Sequence, residues 1–310
     1  MDIQKIIIVS PMIKELAAYL EHYNLDKEFR YLTEDTLTED DLEWADAFCG
    51  FQIKKNTDYS KVKWVHSLGA GVDGFLYSQD WDENVLLTRT VCSFGQRIGE
   101  YCLSYILKDV QAHQKFAEQQ SEKVWRPITP ELLGGKQAVI YGTGEIGQKV
   151  AGILSAFGMK VQGISLSGKP KAEFHQVAAI DSHGSVIKEA DYVINTLPLT
   201  DNTADFFDKN LFEQVRRIGF INAGRGNSLV DTDLMDALEK EQVRFAVLDV
   251  FREEPLPASH PFWKHPDITI TPHISAVTTA KEAVDCFVDT LRRVESEQVL
   301  ENKVDIRKGY

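Results

Sequence analysis

Short apolar runs alternate along the chain with longer amphipathic stretches, and the two periods assign the segments to strands and helices. Residues 6–10 (IIIVS) predict a buried strand, and residues 11–23 a helix with Ile13, Leu16, Ala17 and Leu20 on one face. A strand at 29–32, a helix at 39–44 and strands at 47–51 and 62–67 follow at the spacing of a parallel α/β domain. A long helical pattern over 98–119 places Cys102, Leu103, Ile106, Leu107 and Val110 on one face and predicts a connecting helix. Beyond a loop containing Trp125, Pro127 and Pro130, strands are predicted at 138–141, 161–165, 192–196, 218–222, 245–250 and 268–271, with helices at 185–190 and 232–240 between them. Strict strand-helix alternation implies a second, doubly wound parallel sheet. A last helix, 279–296, finds no sheet left to extend there, so it and the tail are expected to return to the first domain. The expected organisation is a Rossmann-type domain at 99–278 inserted in a flavodoxin-like α/β domain formed by 1–98 and 279–310.

The strand at 138–141 stops at Gly142, and Gly142, Gly144 and Gly147 then show the G-x-G-x-x-G spacing ahead of a helix. In a dinucleotide site the first glycine allows the tight turn, the second lets backbone approach a pyrophosphate, and the third lets helix pack closely on strand. The pyrophosphate would rest on the amides and positive dipole end of that helix. Any strand-to-helix turn in an α/β protein can use three spaced glycines, so the assignment needs its context.

Composition narrows the classes. The chain has 310 residues, 43% hydrophobic and 26% charged, as ordinary globular proteins do. A net charge of −13 without clustered Lys and Arg argues against nucleic acid. Cys49, Cys92, Cys102 and Cys286 form no C-x-x-C pair, which fits reduced thiols in a cytoplasmic protein. No run of 18 apolar residues and no apolar leader appears, so no membrane association is expected.

Three side chains of chemical interest follow strand ends in the second domain: Arg225, Glu254 and His273. Doubly wound sheets gather ligands at that edge. Arginine offers a planar fork for a carboxylate, histidine carries a proton near neutral pH, and a carboxylate beside it orients the ring and raises its pKa. The glycines flanking Arg225 suit close backbone approach. Taken alone, Glu254 reads as a surface carboxylate beside Arg252 and Glu253, and His273 is compatible with a structural histidine. The seven others, His22, His66, His113, His175, His183, His260 and His265, show no catalytic pattern. In the first domain, Ser67-Leu68-Gly69-Ala70-Gly71-Val72-Asp73 is a glycine-rich turn at a strand end; its amides could hold a carboxylate, or its glycines could serve conformation alone.

Together these segments resemble the D-isomer-specific 2-hydroxyacid dehydrogenases. The resemblance is carried by GTGEIG at 142–147, NTLPLT at 195–200, INAGRGNSLVD at 221–231, LDVFREEPLP at 248–257 and ITPHIS at 270–275, in the family's order. LGAGVD at 68–73, IGEYCLSYIL at 98–107 and the RKGY tail extend it over nearly the whole chain. It implies His273 as the general acid, Glu254 as its hydrogen-bonded partner, and Arg225 as the group that binds the substrate carboxylate and polarises the carbonyl. The amides of Ala70 and Gly71 would hold the same carboxylate. Thr143, Gly144, Glu145 and Ile146 would form the pyrophosphate loop between Gly142 and Gly147, and Asp249 would lie near the nicotinamide. Leu197, Pro198, Thr203, Ala223 and Gly224 complete the implied cofactor site. The resemblance also implies a homodimer.

Cofactor preference is readable at one place. NAD-specific folds commonly end the second strand in Asp or Glu, which binds the ribose 2′-hydroxyl. This chain has Ser165, Leu166, Ser167, Gly168 and Lys169 there, two hydroxyls and a lysine that suit a 2′-phosphate, so NADP is favoured over NAD although the usual arginine is missing. Lys169 is also compatible with a solvated turn. Glu254 speaks against formate-oxidising relatives, which carry glutamine there, and the expected short form resembles glyoxylate or hydroxypyruvate reductases and general 2-oxoacid reductases. The expected reaction is reduction of a small 2-oxo acid to the D-2-hydroxy acid. A dinucleotide-sensing, corepressor-like binding protein would keep the same residues; a methyltransferase would leave Arg225, Glu254 and His273 together without a purpose.

Overall fold

The computed structural model describes residues 1–51, 57–77 and 80–310. The chain forms two compact units, Met1–Phe94 with Val277–Tyr310, and Gly95–Ala276.

In the first unit, β1 (Lys5–Val9), β2 (Glu28–Leu32), β3 (Ala47–Gly50), β4 (Trp64–Ser67) and β5 (Leu86–Arg89) make a five-stranded sheet in the order β2-β1-β3-β4-β5, every neighbour parallel. That is the flavodoxin-like order. Alternation along β1 divides the core. Ile6 and Ile8 pack with Leu16 and Leu20 of α1 (Ile13–Glu21), whereas Ile7 and Val9 pack with Leu42 of α2 (Glu39–Trp44) and Phe75 of α3 (Asp73–Leu76).

In the second unit, α4 (Phe94–Val110), which begins at the boundary between the units, and α5 (His113–Glu122) precede β6 (Gln137–Tyr141), α6 (Glu145–Ala156), β7 (Lys160–Ser165) and β8 (Gln176–Ala179). Then come α7 (Gly184–Ile187), β9 (Tyr192–Asn195), α8 (Lys209–Phe212), β10 (Ile218–Asn222), α9 (Asp231–Glu239), β11 (Val243–Leu248) and β12 (Ile268–Ile270). The sheet order β12-β11-β10-β9-β6-β7-β8 is all parallel and reverses at β6/β9, the doubly wound Rossmann arrangement. One face of β6, Ala138 and Ile140, packs on α4 and α6; the other, Val139 and Tyr141, packs towards α7, α8 and α9. The chain returns to the first unit with α10 (Ala280–Glu295), capped by Thr279 and Glu282, whose apolar face joins the core of α1 and β1.

Three local expectations change. The helix predicted over 98–119 is two helices, starting at Phe94 and interrupted at Ala112, which takes φ +53. The carbonyl of Val110 there accepts the amide of Glu131, a long-range bond, and residues 108–115 contain no Gly or Pro to announce the break. β5 (LLTR) and β8 (QVAA), four residues each at sheet edges, had no predicted strand, because neither carries an apolar run long enough to register.

Candidate active site

Six neighbouring strand ends of the second unit carry the candidate residues. After β12 the backbone turns sharply at His273, which takes φ +53, a conformation few side chains other than Asn, Asp and His tolerate. Asp249, directly after β11 and fully buried, holds this turn. Its Oδ1 accepts the Thr271 hydroxyl at 2.5 Å and the Ile274 amide at 2.9 Å, and its Oδ2 accepts the Ser275 amide at 2.9 Å. Since the Thr271 hydroxyl proton is committed to Asp249, the 2.7 Å contact between Tyr101 Oη and Thr271 has the tyrosine as donor. The chain Tyr101 to Thr271 to Asp249 thus ties α4 to the His273 turn.

Held this way, the His273 ring meets the 251–254 turn. Its Nδ1 lies 2.7 Å from Glu254 Oε2, while Glu254 Oε1 accepts the Phe251 amide at 2.9 Å. Both side chains remain open to solvent, His273 by 50% and Glu254 by 36%, so a small molecule can reach the ring. The hydrogen bond to Glu254 raises the His273 pKa, against desolvation and the Arg225 charge, with help from the charges of Glu254 and Asp249. Burial works to raise the Glu254 pKa, but bonds from His273 and the Phe251 amide, with the His273 and Arg225 charges, bring it below the usual carboxylate value. Near neutral pH the pair is therefore biased towards imidazolium and carboxylate.

Arg225 is positioned from beneath. Asn195 ends β9 and Asn222 ends β10, both fully buried, and Asn195 Nδ2 donates to Asn222 Oδ1 at 2.9 Å and to Ser228 Oγ at 2.7 Å. Ser228 Oγ then donates to the Arg225 carbonyl at 2.6 Å, and Asn222 Nδ2 reaches the same carbonyl at 3.2 Å. Gly224 has no room for a side chain, since a Cβ would sit 2.8 Å from Asn195 Nδ2. These three polar residues carried no expectation from the sequence, although uncharged polar groups closing buried strands are a readable sign of such a network.

The cofactor candidates occupy the adjoining ends. Gly142 takes φ +100, and a Cβ on Gly147 would lie 1.9 Å from the Gly142 carbonyl oxygen, so strand and helix meet too closely for alanine. A Cβ on Gly144 would meet nothing within 4 Å. Gly144 is the N-cap of α6 and brings no side chain to cap it, the kind of helix start that suits an anion. Thr143 is buried beside this loop, Glu145 is exposed and Ile146 half-buried. After β7, Ser165 Oγ accepts the Gly168 amide at 3.1 Å and Ser167 Oγ accepts the Lys169 amide at 3.4 Å, which leaves both hydroxyl protons available to donate; Lys169 is exposed. The Leu197 amide is held by Asn195 Oδ1, and Thr203 Oγ1 donates to the Pro198 carbonyl at 2.7 Å, so Thr203 fixes the loop that Leu197 and Pro198 begin. Ala223 is buried at the end of β10.

Residues 103–275 match the family model "D-isomer specific 2-hydroxyacid dehydrogenase, NAD binding domain". The chain is 36% identical over 257 residues to glyoxylate/hydroxypyruvate reductase A of Serratia proteamaculans, covering 81% of this chain and 82% of that protein. Its fold superposes with a TM-score of 0.88 and 28% identity on an NADPH-dependent glyoxylate/hydroxypyruvate reductase from Sinorhizobium meliloti solved with NADP and sulfate, covering 99% of this chain and all of that one. A D-isomer specific 2-hydroxyacid dehydrogenase family protein from Aeromonas salmonicida gives 0.84 at 30% identity, covering 98% and 100%. The chain belongs to the D-isomer specific 2-hydroxyacid dehydrogenase family.

The dehydrogenase is thus an NAD(P)-dependent α/β oxidoreductase, as the motifs implied. In its first unit, considered by itself, the 67–71 turn follows β4. Ser67 Oγ lies 3.2 Å from the carbonyls of Gly69 and Gly71 and accepts the Gly69 amide at 3.2 Å. Among the described residues the amides of Ala70 and Gly71 have no hydrogen-bond partner. Among the described residues, too, no cluster of metal-ligating side chains occurs, and no helix is long and apolar enough to cross a membrane.

Proposed function

We propose that this dehydrogenase works as a reductase of a small 2-oxo acid, forming the D-2-hydroxy acid and drawing on NADPH in preference to NADH. The observation that carries the reading is the 2.7 Å His273–Glu254 pair, whose hydrogen bond raises the histidine pKa against the opposing charge of Arg225.

In this reading Arg225 binds the substrate carboxylate through its planar fork and draws electron density from the adjacent carbonyl. In the first unit, the amides of Ala70 and Gly71 are two donors suited to a carboxylate. His273 donates its Nε2 proton to the carbonyl oxygen as that oxygen gains charge, and Glu254 on Nδ1 stabilises the imidazolium beforehand and fixes the ring plane. Asp249 keeps the His273 turn in place. The cofactor fits the residues present: the helix start at Gly144 suits a pyrophosphate, and Ser165, Ser167 and Lys169 suit a 2′-phosphate. The chemistry a bound nicotinamide supplies is hydride transfer to the 2-oxo carbon. Glyoxylate and hydroxypyruvate lead the substrate class because the similar proteins from Serratia and Sinorhizobium bear those names. A cytoplasmic homodimer completes the proposal.

The test is loss of reduced-nicotinamide absorbance with NADPH or NADH against glyoxylate, hydroxypyruvate, pyruvate and branched 2-oxo acids. Turnover with a small acid and a higher kcat/KM for NADPH is expected. Binding of both cofactors without turnover of any acid would overturn the reading in favour of a dinucleotide-sensing protein.

A further inference from the structure

The first unit contains a buried polar chain that ends on the turn expected to take the carboxylate. His66 of β4 is fully buried, as are Thr88 at β5 and Thr90 just beyond it. Trp64 Nε1 donates to Thr88 Oγ1 at 2.8 Å, and Thr88 Oγ1 lies 2.8 Å from His66 Nδ1. On the other side of the ring, His66 Nε2 lies 3.3 Å from Thr90 Oγ1, which donates to the Ser67 carbonyl at 2.9 Å. The Thr90 amide reaches the same carbonyl at 2.8 Å and the Gly69 carbonyl at 3.3 Å.

Only one placement of protons satisfies every contact. The indole nitrogen can only donate, so Thr88 Oγ1 accepts from Trp64 and gives its single proton to His66 Nδ1. Nδ1 is then bare and Nε2 carries the hydrogen, which goes to Thr90 Oγ1. The Thr90 proton remains for Ser67. In the opposite tautomer Thr90 would have to donate to Nε2 and abandon the Ser67 carbonyl, and the Thr88 proton would have no acceptor among the described contacts. Burial also disfavours the imidazolium, bringing the His66 pKa down to about 3.

The surroundings ask for no such chain. Trp64 stacks on Phe287 at 5.3 Å, and the His66 ring meets Phe287 edge-on at 5.6 Å, within a cluster that includes Leu68 and Cys49. An apolar side chain would fill that space without the cost of burying polar groups. The relay instead delivers a directed hydrogen bond to the residue whose hydroxyl organises Gly69 and Gly71.

We infer that His66, as the neutral Nε2-protonated tautomer, is a positioning residue that acts through Thr90 and Ser67 to hold the 67–71 turn in register for an anionic carboxylate. This rests on the proposal that the Ala70 and Gly71 amides bind the substrate acid.

The experiment uses the full chain and three variants, His66→Leu, His66→Gln and Thr90→Val, the last keeping near-native shape should the leucine variant fail to fold. Amide hydrogen exchange of residues 67–72 without any ligand reads the turn itself, and kinetics with glyoxylate reads its use. Faster exchange is expected in His66→Leu and Thr90→Val, with KM for the acid raised about tenfold, kcat changed less than about twofold and NADPH affinity unchanged. His66→Gln, able to accept and donate, is expected to restore part of the KM. Two-dimensional ¹H–¹⁵N spectra of the imidazole should show an unprotonated Nδ1. Native exchange in both His66→Leu and Thr90→Val, or a protonated Nδ1, overturns the positioning role whatever the kinetics. Faster exchange with unchanged KM overturns the carboxylate assignment of the turn, and with it the functional half of the inference.

Discussion

The carboxylate of Asp249 accepts the backbone amide of Ser275 at 2.9 Å, across a turn whose central residue is His273. With the Ile274 amide and the Thr271 hydroxyl on its other oxygen, this fully buried aspartate acts as a template for the loop that carries the proposed acid. Asp249→Asn would turn an NH₂ group towards a backbone amide and leave one buried donor unpaired, at a cost of about 1–3 kcal/mol. The Asp249 charge also helps raise the His273 pKa. The expected outcome is a lower melting temperature together with a shift of the alkaline limb of the reductase profile to lower pH. A variant with native melting and a native profile would remove Asp249 from this role.

The His273–Glu254 pair predicts a pH dependence with a definite sign. Reduction needs the protonated ring, and Glu254 raises its pKa, so activity should persist past the ordinary histidine value and fall as pH rises through the raised one. Glu254→Gln removes the largest raising cause, and its limb should move to lower pH. Any stability the pair contributes is present between the lowered Glu254 pKa and the raised His273 pKa, and is lost as the carboxylate protonates below that window or the ring deprotonates above it. A limb at the same pH in both proteins, measured as kcat/KM, would show that another group titrates.

His273 itself is best replaced by asparagine, because asparagine tolerates the positive φ that alanine resists. His273→Asn should fold and bind NADPH as the native protein does while turnover falls by about 10²–10⁴. Isothermal titration with NADPH and steady-state rates with glyoxylate separate the two effects. Retained turnover would rule the ring out as the acid.

The two later glycines of the proposed dinucleotide loop should fail differently. A Cβ at Gly147 would collide with the Gly142 carbonyl, so Gly147→Ala should lower the melting temperature of the free protein. A Cβ at Gly144 finds open space, so Gly144→Ala should melt normally and lose dinucleotide affinity instead. Equal cofactor affinity in Gly144→Ala and the native chain would place the pyrophosphate elsewhere.

Lys169 is exposed beside two serines whose hydroxyls cap their own turn. Lys169→Glu should raise KM for NADPH by about tenfold or more, in keeping with a charged contact worth roughly 1.5–3 kcal/mol, and leave NADH nearly unaffected. An unchanged NADPH to NADH ratio would mark the lysine as a solvated turn residue.

Much of this protein is legible in one dimension because its signals are local. The apolar runs at Ile6–Val9 and Ala138–Tyr141 mark central strands, and the glycine spacing at 142–147 reflects contacts within one strand-turn-helix unit. Arg225 and His273 stood out because each follows a strand end beside Gly or Pro. Glu254 did not stand out by its neighbours, among which it is one of several surface carboxylates; the family resemblance implied it as the partner of His273, and the turn lays it 2.7 Å from that ring. His66 was passed over for the complementary reason, since nothing next to it in sequence reveals Thr88 and Thr90 on either side of its ring. The break at Ala112 was hidden because the bond from Glu131 to Val110 spans a loop.

The sequence by itself determined the two α/β units, the strand order's broad class, the glycine-rich strand-turn-helix loop and the residue types of the proposed chemistry, all consequences of hydrophobic period and short-range backbone geometry. Tertiary structure decided the geometry that sets each proton: the Glu254–His273 contact, the Asp249 template and the His66 tautomer depend on groups distant in sequence brought within 3.5 Å, where burial and directional hydrogen bonds set charge and orientation.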